Sequence, residues 1–125
     1  MPPFIFTYRH PADYVAGDAQ EGRGRPRDVD SDVSGAWVAF FERIGPSVID
    51  PGQPVFERTI VGEVGVSTNL GGYSVVQAGD LASAEALAAG CPTLQRGGGI
   101  EIGLLAELPA DHPATLLKAR SVRPL

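Results

Sequence analysis

The side chain best suited to acid–base chemistry in this sequence is His10, which comes shortly after the apolar stretch PFIFTY. An imidazole titrates near neutral pH, so it is a natural general base for a small enzyme. Together with Tyr8 and Arg9, His10 would reach a cleft between a sheet and the helices that cover it. The alternative is a solvated loop histidine in front of Pro11 that takes no part in chemistry.

Two carboxylates are candidates to partner His10. Asp50 lies in the turn sequence Asp-Pro-Gly, where it would orient the imidazole or form an ion pair with Arg9. The alternative for Asp50 is an Asx turn, in which its side chain accepts a hydrogen bond from a nearby backbone N–H. Glu101 interrupts an apolar strand, and burial would raise its pKa into a range suited to proton transfer. The alternative for Glu101 is an ion pair with an arginine at a subunit interface, or a solvated strand edge.

Aromatic side chains supply the candidates for ligand binding. Tyr73 begins a predicted strand after two glycines and combines an apolar ring with a polar tip. Trp37 and Phe41 lie on the apolar stripe of a predicted helix. A core role is the common one there, although a cleft beneath the helix would use the same residues. Tyr8 and Arg9 complete the predicted ligand-binding set.

The remaining chemistry-bearing residues predict neither a metal site nor a cofactor. The two histidines and the single cysteine lie far apart, without the spacing of metal ligands. Cys91 follows a predicted helix, whose negative dipole end disfavours a thiolate, so we interpret it as structural. Residues 97–99, all glycine, precede a strand rather than open a helix, which favours a flexible connection over a phosphate-binding loop.

Length and composition limit the class of protein. A chain of 125 residues with 43% hydrophobic and 20% charged residues is typical of one globular domain. The net charge of −5 argues against general nucleic-acid binding, which favours a basic surface. No apolar run approaches the roughly 18 residues of a membrane span, and the apolar start lacks the features of a signal peptide. The predicted location is therefore the cytoplasm, with no membrane partner.

Hydrophobic periodicity predicts the elements that position these residues. We expect strands over 3–8, 72–78 and 100–108, and helices over 32–45 and 81–90. Between the first helix and residue 72 we expect a strand in two pieces, 47–49 and 55–61, with a turn between them. Asp80 is the expected N-cap of the second helix. The predicted domain spans residues 1–108 and includes a long polar loop over 11–30. Residues 109–125 form a C-terminal extension expected to pack on its own domain or on a dimer mate.

The predicted order β-α-β-β-α-β favours an α+β, ferredoxin-like fold with an antiparallel sheet and both helices on one face. The other face of the sheet also carries apolar residues, which must be covered. A second copy of the chain is the simplest cover. We therefore expect a homodimer in which two sheets stack into an α/β barrel.

Three stretches of the sequence resemble the YCII-related family of bacterial proteins. The stretch GGYSVVQAGDLASAEALAAGCP matches its Gly-Tyr strand and its alanine-rich helix, which ends in Cys-Pro or Asp-Pro. GGGIEIGLL is similar to its Gly-Gly-x-Val/Ile-Glu strand, and AWVAFFERIGPSVIDPGQP to its helix-turn segment. The resemblance covers roughly residues 3–8 and 33–106, and it implies the dimeric, ferredoxin-like α/β barrel that periodicity also predicts.

The resemblance constrains function less closely than fold. Most members of the family have no known activity, and a few are linked to small-molecule chemistry, including dehydrochlorination of chlorinated hydroxyquinols. Some carry a histidine on the first helix and an aspartate near the end of the second, proposed as an acid–base pair. Here Trp37 lies near the first position and Cys91-Pro92 replaces the Asp-Pro. Both departures count against that chemistry.

Two functional hypotheses follow from the sequence. In the first, the chain binds a small aromatic or carboxylated molecule in a cleft between sheet and helices. If it is catalytic, His10 acts as general base with Asp50 or Glu101 in a lyase-type proton transfer. In the second, the protein is a non-catalytic dimeric accessory protein, and the same residues are structural.

Overall fold

The computed structural model describes residues 1–12, 31–65 and 68–114, with residues 31–34 described as backbone only. Its strands are β1 (Pro3–Pro11), β2 (Val48–Asp50), β3 (Thr68–Gln77) and β4 (Gly99–Leu104). Its helices are α1 (Ser31–Ile44), α2 (Leu81–Ala88) and the short α3 (Pro92–Gln95). The predicted α+β class is confirmed.

The four strands form one antiparallel sheet in the order β2-β3-β1-β4. β1 lies in the middle, between β3 and β4, so the segment that carries Tyr8, Arg9 and His10 is flanked on both sides. This arrangement is consistent with the predicted ferredoxin-like fold.

One face of the sheet forms the core because side chains alternate along a strand. Phe4, Phe6 and Tyr8 of β1 are buried on the face that the helices cover. They pack with buried residues of the neighbouring elements, namely Phe40, Ile44, Val76, Ala78, Ala84, Ala88 and Cys91. Both long helices therefore pack on this face.

Local signals set the limits of α2 and connect it to α1. The Asp80 carboxylate accepts a hydrogen bond from the Ser83 N–H at 2.8 Å, which confirms the predicted N-cap. At the other end, the Arg43 guanidinium of α1 donates to the carbonyls of Leu87 (3.0 Å) and Ala89. These carbonyls have no partner within a helix that ends there, so Arg43 satisfies the end of α2 from the neighbouring helix.

Several predicted boundaries differ from the structure. Residues 55–61 do not form the expected strand: the chain there is irregular, apart from a single bridge between Pro54 and Gly72. The connection before β4 is not wholly flexible, because α3 forms its first part. β4 ends at Leu104, not at residue 108. Most of the predicted 11–30 loop and the predicted C-terminal extension beyond Ala114 lie outside the described residues.

The opposite face of the sheet carries a mixture of apolar and polar side chains. Ile5 pairs with Val75, and Thr7 pairs with Tyr73 and Glu101. Ile5, Thr7, Tyr73 and Val75 are half-buried and Glu101 is exposed. We call this surface, defined by Ile5, Thr7, Tyr73, Val75 and Glu101, the open face. None of the helices in the described residues has the length and apolar character needed to cross a membrane.

Candidate functional site

His10 lies within β1, not in a loop after it, because the strand continues to Pro11. By alternation its side chain points to the same face as Phe6 and Tyr8, the face that α1 covers. The register between β1 and β3 shifts after Tyr8, so that Tyr8 pairs with Gly72, Arg9 pairs with Leu70, and Gly71 is the extra residue. Such a bulge redirects side chains locally and is frequent beside functional sites.

Gly71 provides the space for the His10 imidazole. A Cβ at position 71 would overlap Cδ2 and Nε2 of the His10 ring. The neighbouring Gly72 lies under Tyr8, whose Cδ2 would be 3.6 Å from a Cβ there. The two adjacent glycines of β3 thus let the rings of Tyr8 and His10 pack close to the β3 backbone.

The environment of His10 favours the neutral imidazole. The ring is half-buried, and this burial lowers the pKa of His10 from its ordinary value of 6.5. The positive charge of Arg96 acts in the same direction. A neutral imidazole at pH 7 can accept a proton, which is the property required of a general base.

An aromatic cluster adjoins Tyr8 on the helix side. The Tyr8 and Trp37 rings meet edge to face with centroids 4.8 Å apart, and Trp37 stacks on Phe41 at 5.8 Å. Tyr8 is buried, whereas Trp37 and Phe41 are half-buried. Three residues predicted to bind a ligand are therefore brought together with His10 on one face of the sheet.

A buried hydrogen-bond chain holds Tyr8 in place. The Tyr8 hydroxyl donates to Ser74 Oγ at 2.8 Å, and the Ser74 hydroxyl donates to the Pro51 carbonyl at 2.7 Å. Burial raises the pKa of Tyr8 above its ordinary value of 10, although the bond to Ser74 opposes the rise. Ser74 was not predicted from sequence. The only signal was its inward position between Gly72 and Val76 in an alternating strand.

Asp50 does not lie beside His10. It pairs with Val75, which in turn pairs with Ile5, five residues along β1 from His10. The Asp50 side chain accepts a hydrogen bond from the Gly52 N–H at 2.9 Å, which is the Asx turn considered as its alternative. The structure therefore does not form the expected pair of Asp50 and His10.

Arg9, Tyr73 and Glu101 lie on the other side of the sheet from His10. Glu101 pairs with Thr7 and is exposed, and Tyr73 pairs with Thr7 from the other side. Arg9 donates to the Thr68 hydroxyl at 3.1 Å and to the Thr68 carbonyl at 3.4 Å. The predicted single cleft is therefore divided by the sheet into a His10 side and the open face.

Cys91 has a different position from the one expected. It is the N-cap residue of α3, not merely the end of α2, so the Thr93 and Leu94 backbone N–H groups lie close to its sulfur. Burial nevertheless prevails and raises the pKa of the Cys91 thiol. A fully buried thiol with a raised pKa is poorly suited to nucleophilic chemistry. Within residues 1–12, 31–65 and 68–114, no three His, Cys, Asp or Glu residues are grouped to hold a metal ion.

Comparison with known proteins gives a structural likeness of low sequence identity. No family model matches the sequence, and no curated protein matches it. Among solved structures, the chain is similar to 5-chloro-2-hydroxyhydroquinone dehydrochlorinase from Burkholderia phenoliruptrix AC1100, in complex with 2,5-dihydroxybenzoquinone. The identity is 13%, the match covers 82% of this chain and 93% of that one, and the TM-score is 0.49. Similarity at this level transfers neither a site nor an activity.

Proposed function

We propose that the protein binds a small aromatic or carboxylated molecule beside His10, on the helix-covered side of the sheet. The observation that carries this proposal is the His10 ring lying over Gly71, next to the Tyr8–Trp37–Phe41 cluster. Half-buried aromatic rings beside a polar, proton-accepting group are the usual lining of a small-molecule site. The resemblance to the YCII-related family supports the same reading, and membership of that family is part of the proposal.

If the bound molecule is transformed, His10 is the general base of a lyase-type proton transfer. Its lowered pKa keeps the imidazole neutral at pH 7, where it can take a proton from a carbon or hydroxyl group of the ligand. Neither Asp50 nor Glu101 lies beside the His10 imidazole. Asp50 would act on the proton transfer only from the sheet edge, and Glu101 only from the open face. Arg9 and Tyr73 would contact a ligand only from the open face.

Ligand binding can be tested with variants that remove or displace the imidazole. His10→Gln removes it, and Gly71→Ala displaces it by adding a Cβ where the ring lies. A panel of phenols, quinols and benzoates is screened by thermal shift, and by fluorescence of Trp37, the single tryptophan. At a hundredfold excess over Kd a ligand adds about 2.7 kcal/mol to the free energy of unfolding. The expected result is a raised melting temperature and altered Trp37 emission in the wild type, both lost in the two variants.

Gly79→Ala is the matched control, because a Cβ at Gly79 would meet nothing within 4 Å. It should retain full binding. Binding that survives both His10→Gln and Gly71→Ala, or no binding by any compound of the panel, would contradict the proposal.

A second candidate function is that of a dimeric accessory protein. The observation that favours it is the open face, where Ile5, Tyr73 and Val75 are only half-buried in the single chain. The irregular chain between β2 and β3 also exposes Ile60 (50%) and Val61 (91%). A second copy that covers these residues would form the expected homodimer, and a cytoplasmic location is proposed with it. The dimer itself is compatible with either function, so the His10 experiment distinguishes them.

A further inference from the structure

The chain before β4 passes close to the end of β1, where His10 lies. A Cβ at Gly97 would be 3.7 Å from the Pro11 ring, and a Cβ at Gly98 would overlap the Arg9 carbonyl. A side chain at Gly98 is therefore excluded by the Arg9 backbone, and Gly97 has a φ of +80° that favours glycine. Arg96 directly precedes them, so its backbone is held beside the same end of β1.

The position of Arg96 is fixed by α3. The Thr93 carbonyl accepts hydrogen bonds from the Arg96 N–H at 3.2 Å and from the Gly98 N–H at 3.0 Å. Thr93 is itself buried, with 1% of its surface exposed. The short helix thus anchors the backbone of Arg96, whose side chain is exposed and whose charge acts on His10.

The charge around His10 is positive in the part of the chain that the structure describes. Arg96 lies close enough for its charge to act on the imidazole. Among the described residues, no carboxylate forms an ion pair with Arg96, and the two predicted carboxylates lie elsewhere, Asp50 at the sheet edge and Glu101 on the open face. An exposed cation whose charge acts on His10, in a chain of net charge −5, is a local reversal of sign.

We propose that Arg96 is the specificity-determining residue of the His10 site and selects an aromatic carboxylate over a neutral aromatic ring. This inference rests on the proposed function and narrows its ligand class. The planar guanidinium forms paired, charge-assisted hydrogen bonds with a carboxylate. The ligand's ring would then lie toward Trp37 and Phe41, with its charged group at Arg96.

The test compares benzoate with benzamide, its neutral analogue of the same shape, by fluorescence titration of Trp37 in the full-length chain. Benzoate should bind the wild type more tightly than benzamide, and its affinity should fall as salt is added. Arg96→Gln should weaken benzoate about fivefold, the upper end of the range for an exposed charge pair. The same variant should leave benzamide unchanged within about twofold, because an amide carries no charge for Arg96 to attract.

Arg58→Gln is the control for a general charge effect, since Arg58 is another exposed arginine of the described chain. It should leave both affinities unchanged. Equal binding of benzoate and benzamide, or equal weakening of benzoate by Arg58→Gln, overturns the role of Arg96. If both compounds bind and both depend on His10, the proposed function survives that failure. If neither compound binds, the role of Arg96 is overturned, and the phenols and quinols of the panel decide the proposed function separately.

Discussion

The absence of a single side chain, at Gly71, determines where the His10 imidazole can lie. The ring occupies the volume that a Cβ would fill, and this position leaves it half-buried and within the field of Arg96. Both effects disfavour the imidazolium form. A histidine so placed connects the local geometry of β3 to the protonation state of the site.

The lowered pKa of His10 predicts a specific pH dependence of stability. In the unfolded chain His10 titrates near 6.5, and in the folded chain it titrates lower. The unfolded state therefore binds more protons below pH 6.5, and the free energy of unfolding falls as pH drops from there through the folded pKa. Urea titrations between pH 7.5 and 5 should show this fall in the wild type, and a shallower one in His10→Gln.

The control for this measurement is His112→Gln, which removes the other, exposed histidine. A slope that becomes shallower in His10→Gln and not in His112→Gln would assign the pH dependence to His10. A His10→Gln protein with an unchanged slope would show that His10 is not the group responsible.

The Tyr8–Ser74–Pro51 chain predicts unequal costs for removing its two hydroxyls. Tyr8→Phe removes one donor, but Ser74 still donates to Pro51, so the loss should be about 1 kcal/mol. Ser74→Ala leaves both the buried Tyr8 hydroxyl and the Pro51 carbonyl without this partner, which should cost about 2 to 3 kcal/mol. Urea unfolding of each variant measures the two losses.

The double variant tests whether the two hydroxyls act as a pair. Once Ser74 is alanine, replacing Tyr8 by Phe removes an unpaired buried group, so the second change should cost little or restore stability. Strictly additive losses would contradict a coupled chain.

At the scale of elements, the N-cap of α2 gives a prediction that separates hydrogen bonding from charge. Hydrogen bonding with Ser83, through its side chain first and its backbone N–H second, holds the pKa of Asp80 below its ordinary value of 3.8. Its stabilising effect is therefore present above pH 3.8 and is lost as pH falls through the folded pKa. Asp80→Ala should lower the urea midpoint at pH 7, whereas Asp80→Asn should retain most of it, since asparagine also caps helices. An Asp80→Ala midpoint equal to that of the wild type would show that the cap contributes nothing.

Elements with a local signal were predictable from the sequence. The apolar stripe that includes Phe40 and Ile44, followed by Gly45-Pro46, defined α1, and Asp80 marked the start of α2. The predicted strand over 55–61 failed because its apolar residues are not buried: Ile60 and Val61 face solvent in the single chain. Apolar content alone does not distinguish a strand from irregular chain that another surface could cover.

The site was less predictable than the elements, for a physical reason. The proximity of Tyr8, Trp37 and His10 follows from alternation along β1 and from the stripe of α1, both of which are local. The contact of His10 with Gly71 depends on a bulge in β3. The effect of the Arg96 charge on His10 depends on a loop anchored by α3. The separation of Glu101 and Tyr73 from His10 depends on pairing register, which no single segment encodes.

At the scale of the whole molecule, the open face distinguishes a monomer from a dimer. In a homodimer Val75 would lie in the interface, and a carboxylate there would face its symmetry mate or another apolar group without compensation. In a monomer the same side chain would point to water. Val75→Asp should therefore fold in either case but should abolish association. Light scattering after size exclusion should give twice 13.1 kDa for the wild type and 13.1 kDa for Val75→Asp.

The control for the dimer is Leu81→Asp, which places the same charge at an exposed position of α2 on the helix side of the molecule. It should remain dimeric, because no helix surface takes part in the expected interface. Circular dichroism of each variant verifies that the sheet is intact, so that loss of association is not loss of fold. A wild-type mass of 13.1 kDa across the micromolar range would exclude the dimer. A Val75→Asp protein of double mass would place the interface elsewhere than on the open face, and the proposal of stacked sheets would fail.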